Sequence, residues 1–287
     1  MTDVPLAAAE TPAPNSIAGS KHADDLALTL DIAAAAGRLL MERYERVERV
    51  DYKSARDIVT EVDHLSEELI IAAIRARHPA DGILAEESGA QATGAGDAAA
   101  SGRGRVWIID PVDGTINYAN GIPVFCISIA LAIDGRPAVG VVLDPTRQDF
   151  FAATADGAAT LNGIPITVSD KETLTDFVVS ASLAGRTVAS RARNLRKAVR
   201  ISRSMGSAAL ALAYVANGRF DAFVQQGGMS IWDVAAAGLI AERAGATVTD
   251  AGGGPWFDIA RAARSVSILA APPSHHPRIL ELTRPTA

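Results

Sequence analysis

The ten residues from Val106 to Thr115, Val-Trp-Ile-Ile-Asp-Pro-Val-Asp-Gly-Thr, constrain this chain more than any other segment. The first four form an unbroken apolar run bounded by turn residues, which reads as a compact strand buried in a core. Pro111 and Gly114 then force a turn, so Asp110, Asp113 and Thr115 are delivered together at the end of that strand. A chain of 287 residues with 48% apolar composition can bury such a strand in a large core, as one big domain or two intimate halves.

Two carboxylates three residues apart, with the Val112 carbonyl between them, suit a hard divalent cation. Mg2+ takes oxygen ligands at about 2.0–2.1 Å and accepts carboxylate, carbonyl and water together. Asp110 is placed to bridge two ions and Asp113 to hold one. Gly114 and Thr115 open a short helix whose free N–H groups suit phosphate oxygens. The competing local reading is a turn that only caps that helix. Glu86-Glu87 taken alone fits a solvated surface pair, and Trp232-Asp233 taken alone fits a helix start.

Around this segment, apolar residues Leu28, Ile32, Ala35 and Leu39 at helical spacing predict an amphipathic helix over about 24–47. A second helix is expected over about 62–77, with Leu65, Leu69 and Ala73 as its repeating apolar positions, Asp63 near its start and Pro79 as its stop. Gly82–Ala85 reads as a short strand leading into Glu86 and Glu87, followed by a Gly/Ala-rich mobile loop to Arg105. Runs at 124–133, 138–143 and 150–154 predict an antiparallel meander. Beyond it, strands are expected at 177–182, 220–224, near 247 and at 267–270. Helices are expected at 191–199, 207–216 and 231–244, the last closed by Gly245.

Composition narrows the functional classes. The chain has 27 Lys+Arg against 33 Asp+Glu, a net of -6, without the long basic runs of a nucleic-acid footprint, so no nucleic-acid partner is expected. Cys126 is the only cysteine, which excludes an internal disulfide and a Cys-based zinc site and points to a cytoplasmic setting. Residues 1–22 carry Asp3 and Glu10 and lack a basic start with an apolar run; a disordered tail is expected there. One domain is expected over 23–287, with halves at about 23–170 and 171–287. No charge-free apolar span approaches the length of about 18 residues that a membrane helix needs.

Four separated blocks together resemble the inositol monophosphatase family. They are Lys53-Ser54-Ala55-Arg56-Asp57-Ile58-Val59-Thr60-Glu61-Val62-Asp63, Leu84-Ala85-Glu86-Glu87-Ser88, the run from Trp107 to Thr115, and Trp232-Asp233-Val234-Ala235-Ala236. Their order and spacing agree, and the similarity runs from about residue 25 to 272. The resemblance implies an α/β fold of alternating α-β-α-β-α layers, a homodimer, and Mg2+-dependent, Li+-sensitive hydrolysis of a small phosphorylated polyol or sugar. It implies two to three Mg2+ ions per subunit. Glu86, Asp110 and the Val112 carbonyl are implied for the first, Asp110, Asp113 and Asp233 for the second, and Glu86 again for a weaker third. Asp63, Glu86 and Thr115 are implied as catalytic, with Asp63 and Thr115 beside the attacking water and Lys53 and Glu87 near the metal loop. Asp113, Gly114, Thr115, Gly206, Ala208, Gln226 and Asp233 are implied to bind substrate.

The chain departs from the family pattern in three ways, one of them a spacing between Asp221 and Asp233 one residue longer than the usual pattern. Ile116 replaces a second Thr after Gly-Thr, and Gln225 or Gln226 stands where inositol phosphatases place a Glu that grips ring hydroxyls; an amide still hydrogen-bonds, but differently. Three functions follow as expectations. The first is hydrolysis of inositol-1-phosphate. The second is a sibling phosphatase acting on histidinol phosphate, fructose 1,6-bisphosphate or a nucleotide 3′-phosphate. The third is an RNA- or protein-binding regulator that retains the fold.

Overall fold

The computed structural model describes residues 19–47, 49–54, 57–91, 104–183, 189–261 and 263–284. Most of the expected tail (1–18) and of the expected mobile loop (92–103) lies outside the described residues. The chain opens with α1 (Ala23–Arg43), a hairpin of β1 (Val50–Ser54) and β2 (Asp57–Thr60), and α2 (Glu61–Arg77). Next come β3 (Gly82–Ala85), β4 (Gly89–Gln91), β5 (Arg105–Asp113) and α3 (Thr115–Ala119). The meander β6 (Cys126–Ile133), β7 (Arg136–Asp144) and β8 (Asp149–Thr154) leads to the two-residue strands β9 (Thr160–Leu161) and β10 (Ile164–Pro165). The second part contains β11 (Val178–Ser182), α4 (Ala189–Ala198), β12 (Ile201–Arg203), α5 (Ala208–Ala216) and β13 (Ala222–Met229). It closes with α6 (Ala235–Arg243), β14 (Thr247–Thr249), β15 (Val266–Ala271) and α7 (His276–Thr283).

The strands form an eight-stranded sheet in the order β10-β9-β8-β7-β6-β5-β3-β4 and a five-stranded sheet in the order β12-β11-β13-β15-β14. Strands β5 to β8 pair antiparallel, as the alternating runs predict, while β3 lies parallel to β5. Helices α1 and α2 cover one face of the large sheet through Leu26, Leu30, Leu40, Ile70 and Ile74. Helices α5 and α6, built from small residues, fill the space between the sheets. Leu195 of α4, Val199 just after it and Ile279 of α7 cover the outer face of the small sheet. The result is the α-β-α-β-α layering. No helix among the described residues is long and apolar enough to cross a membrane.

The two faces of the central sandwich approach closely because glycine allows it. A Cβ at Gly140 in β7 would lie 2.7 Å from the Ala236 carbonyl oxygen in α6, and one at Gly238 would lie 2.5 Å from the Trp256 ring. Helix α6 is thus seated against bare backbone on one side and an indole on the other.

Three local expectations are corrected. The buried stripe of α2 is Val62, Asp63, Ser66, Glu67, Ile70 and Ile74; of the expected stripe, Leu69 and Ala73 pack only partly buried at its margin, and Leu65 is 37% exposed. Strand β5 does not end at Ile109 but continues to Asp113, with its pairing to β6 irregular between Asp110 and Asp113, where Pro111 has no N–H to offer. Ser20 and Lys21, expected in the tail, are tied to Asp156 by bonds of 2.7 and 3.2 Å.

Candidate metal centre

Strand register brings the acids together. β3 and β5 run parallel with Ala85 opposite Ile109, so Glu86 and Asp110 emerge side by side. The Glu86 N–H donates to the Ile109 carbonyl at 3.1 Å, and both carboxylates line the same cleft. Asp113 lies three residues on, opposite Cys126 of β6. Asp233 arrives from the turn before α6 and accepts the Ser230 N–H at 2.7 Å. One oxygen from each of Asp110, Asp113 and Asp233 lies within 4.8 Å of the others. All four acids line an open cleft of about 970 Å3 between the two sheets.

Helix starts hold these side chains. Asp63 occupies the third position of α2, where it accepts the Thr60 N–H at 2.9 Å and the Thr60 hydroxyl at 2.5 Å; this reciprocal capping box fixes the carboxylate. Its other oxygen accepts the Thr115 hydroxyl at 2.9 Å, a hydroxyl that also lies 3.0 Å from the Val112 carbonyl. Asp113 reaches across to the start of α5, accepting the Ser207 hydroxyl at 2.5 Å and the N–H groups of Ala209 and Ala208 at 2.7 and 3.2 Å. The expected cap on the next helix is not formed, since α3 has no side-chain cap; Asp63 and Asp113 instead hold the starts of α2 and α5, whose positive ends stabilise them.

The cluster is electrostatically uncomfortable. Burial, then the charges of Glu86, Asp113 and Asp233, holds Asp110 well above the usual carboxylate range. Burial and the neighbouring Asp113 do the same to Asp233. Burial also raises Asp63 and Asp113, against the opposing effect of their hydrogen bonds. Among the described residues, five acids (Glu86, Glu87, Asp110, Asp113, Asp233) line the cleft against Arg264 and His64. An all-oxygen donor set with excess buried negative charge fits a hard divalent cation such as Mg2+.

A stability prediction follows. Because the folded-state values are raised, the metal-free fold binds more protons than the unfolded chain between the unfolded carboxylate values and the raised ones. Its stability therefore increases as pH falls through that window and is lowest near neutrality. In EDTA the melting temperature is expected to rise from pH 7.5 to pH 5.5. At pH 7.5, Mg2+ at about 100 times its Kd should raise it by about 5 °C. Equal melting curves with and without Mg2+ would contradict the cluster's role.

The remaining sequence-derived positions divide. Gly114 (φ 101°) must be glycine: a Cβ would lie 3.0 Å from the Val124 carbonyl oxygen. Gly206 (φ 80°) and Ala208 line the cleft, and the Gly206 loop is clamped by the Asn117 amide, which donates to the Met205 carbonyl at 2.8 Å. Gln225 lines the cleft, whereas the Gln226 amide bonds the Thr283 carbonyl and accepts from Arg191 at 3.0 Å. The amide facing the cleft is therefore Gln225 and not the expected Gln226, because successive residues of a strand point to opposite faces. The side chain of Lys53 lies outside the described residues. Glu87 lines the cleft. Arg264, in the turn before β15, belongs to no sequence motif, whereas Asn117 is the Asn of the family's Asp-Gly-Thr-Thr-Asn pattern, to which the sequence assigns no role.

A family model described as the inositol monophosphatase family matches residues 23–286. The chain belongs to the inositol monophosphatase family. This is a family of Mg2+-dependent phosphatases acting on phosphorylated small molecules. Relatives carry two kinds of name. The protein called Nus factor SuhB from Pseudomonas aeruginosa is 38% identical over 244 residues, covering 81% of this chain and 87% of that one. Inositol monophosphatase 1 of Solanum lycopersicum is 36% identical over 241 residues, covering 82% and 86%. Among solved structures, the extragenic suppressor protein suhB of Bartonella henselae superposes with a TM-score of 0.83 at 31% identity, covering 92% of this chain and all of that one. An inositol monophosphatase of Thermotoga maritima gives 0.80 at 33%, covering 91% and 96%.

Proposed function

We propose that this member of the inositol monophosphatase family hydrolyses small phosphate monoesters, with inositol-1-phosphate as its preferred substrate. The observation that carries the reading is the convergence of Glu86, Asp110, Asp113 and Asp233, far apart in sequence, on one cleft. Glu86, Asp110 and the Val112 carbonyl would hold one Mg2+, and Asp110, Asp113 and Asp233 a second. When bound, the ions supply charge neutralisation at the phosphate and a more acidic water. The chain's own residues position and relay. The Thr115 hydroxyl, held by Asp63, accepts or orients the proton of the attacking water, and Asp63 stands behind it as the buried acceptor. Gly114 and Thr115 present backbone to the phosphate, and Gln225 faces the organic part of the ester.

The test is a panel of inositol-1-phosphate, histidinol phosphate, fructose 1,6-bisphosphate and a nucleotide 3′-phosphate assayed with Mg2+. Inositol-1-phosphate is expected to give the highest kcat/KM, and millimolar Li+ to inhibit its turnover. A better sibling substrate would move the specificity; absence of all turnover would remove the enzymatic reading.

A second reading, a partner-binding role on the same fold, is favoured by one observation besides the relatives named Nus factor SuhB. Residues 177–220 contain eight Lys or Arg and no Asp or Glu in a chain of net charge -6. Arg193, Arg196, Lys197 and Arg200 fall on one exposed helical face at and just after α4. Retained binding of a polyanion by a catalytically silent protein would support that reading.

A further inference from the structure

We infer that Glu67 is a positioning residue for the metal centre, holding Glu86 in place by tying down the turn that carries it. The inference rests on the proposed function only in taking Glu86 as a Mg2+ ligand. Glu67 lies on α2, one helical turn beyond Asp63, and is 4% exposed. Its two carboxylate oxygens accept the N–H groups of Glu87 at 2.8 Å and Ser88 at 2.9 Å. The Glu86 N–H is itself bonded to the Ile109 carbonyl. Three consecutive N–H groups are thus fixed, the first by β5 and the next two by Glu67, so the backbone beneath Glu86 has little freedom to shift.

The same helix face grips the other ligand-bearing loop. The Ser66 hydroxyl donates to the Pro111 carbonyl at 3.2 Å, and Asp63 accepts the Thr115 hydroxyl. Positions 63, 66 and 67 are neighbours on a helix surface, so α2 sets Glu86 relative to Asp110 from a single rigid element. A carboxylate suits the Glu87–Ser88 pair because it presents only acceptors; an amide would turn a donor toward one of the two N–H groups.

The test is Glu67→Gln in the full chain, read by calorimetric titration with Mg2+ and by the Mg2+ dependence of turnover. The Mg2+ Kd is expected to rise by about 10- to 100-fold, the size of effect seen when an outer partner of a metal ligand is removed. Turnover should recover as Mg2+ is raised, with KM for the ester at saturating Mg2+ unchanged. A residue with a purely structural role would instead lower the melting temperature in EDTA and leave the Mg2+ Kd alone, and that result would overturn the inference. Should the Gln variant not fold, Glu67→Asp keeps both oxygens but withdraws them by one methylene, and the same rise in Kd is expected, with an unshifted Kd again overturning it. A parent chain that binds Mg2+ but turns over no ester would sink the phosphatase reading while leaving the Kd comparison decisive for Glu67. A parent that binds no Mg2+ would overturn both.

Discussion

Replacing Asp110 by Asn is expected to lower kcat/KM for phosphate ester hydrolysis by about 10^3-fold or more, since a carboxylate that would hold the metal ions contributes several kcal/mol through the charge stabilisation they supply. The same substitution is expected to leave the fold intact and, in EDTA at neutral pH, to raise its melting temperature. Asp110 is 1% exposed, and its ionisation is opposed by burial and by three neighbouring acids. An amide removes that repulsion yet still accepts the Val112 N–H that Asp110 accepts at 3.1 Å. Loss of activity together with gain of metal-free stability separates a functional acid from a structural one. Steady-state kinetics and thermal melts of the variant check both halves; near-normal turnover would remove Asp110 from the metal set.

Replacing Gly140 by Ala is expected to destabilise the fold by about 3 kcal/mol, at the upper end of the usual overpacking cost, because the new methyl meets helix backbone and not a movable side chain. The Ala236 carbonyl and Cα, 2.7 and 3.0 Å from that Cβ, can retreat only if α6 moves away from the large sheet. Helix α6 begins two residues after Asp233, and its other side is pressed on Trp256 through Gly238. Its displacement would draw Asp233 away from Asp110, so weaker Mg2+ binding should accompany the loss of stability. Urea unfolding checks the first effect as a midpoint lowered by about 1 M, and Mg2+ titration checks the second. An unchanged urea midpoint would mean that the helix and sheet are not in the contact described.

Much of the fold is legible in the sequence because most elements obey simple periodicities. The buried strand ending at Asp110, the meander that follows it and the small-residue helices all stand where patterning puts them, within a few residues. The α2 stripe was misplaced for a physical reason. Its packed face carries Asp63, Ser66 and Glu67, polar residues whose partners are loop backbone and hydroxyl groups. Periodicity assigns polar residues to solvent, so a face buried for the sake of a site looks like an outer face, and the neighbouring leucines appear to be the core. Glu67 stayed hidden for the same reason. Its function depends on the Glu87 and Ser88 N–H groups twenty residues away, which no local pattern reports.

The acids of the centre are legible as motifs, and their convergence follows from the family resemblance, whereas no local pattern shows what produces it. It arises from the parallel register of β3 on β5, which sets Glu86 beside Asp110, and from the start of α5, which draws Asp113 toward the second sheet. Gln225 and Gln226 could not be separated from sequence, since the strand ends irregularly between Gln225 and Met229, with Gly227 and Gly228 both at positive φ. The hairpin of β1 and β2, the edge strand β12 and the closing helix α7 are short enough that their local signals are weak.

Crystals grown with Mn2+ in place of Mg2+ offer the most direct measurement, because anomalous scattering locates each ion independently of the protein coordinates. Two peaks are expected in the cleft, one among Glu86, Asp110 and the Val112 carbonyl and one among Asp110, Asp113 and Asp233. Well-ordered crystals at saturating Mn2+ with no peak touching these oxygens would contradict the assignment of the cleft as a metal centre.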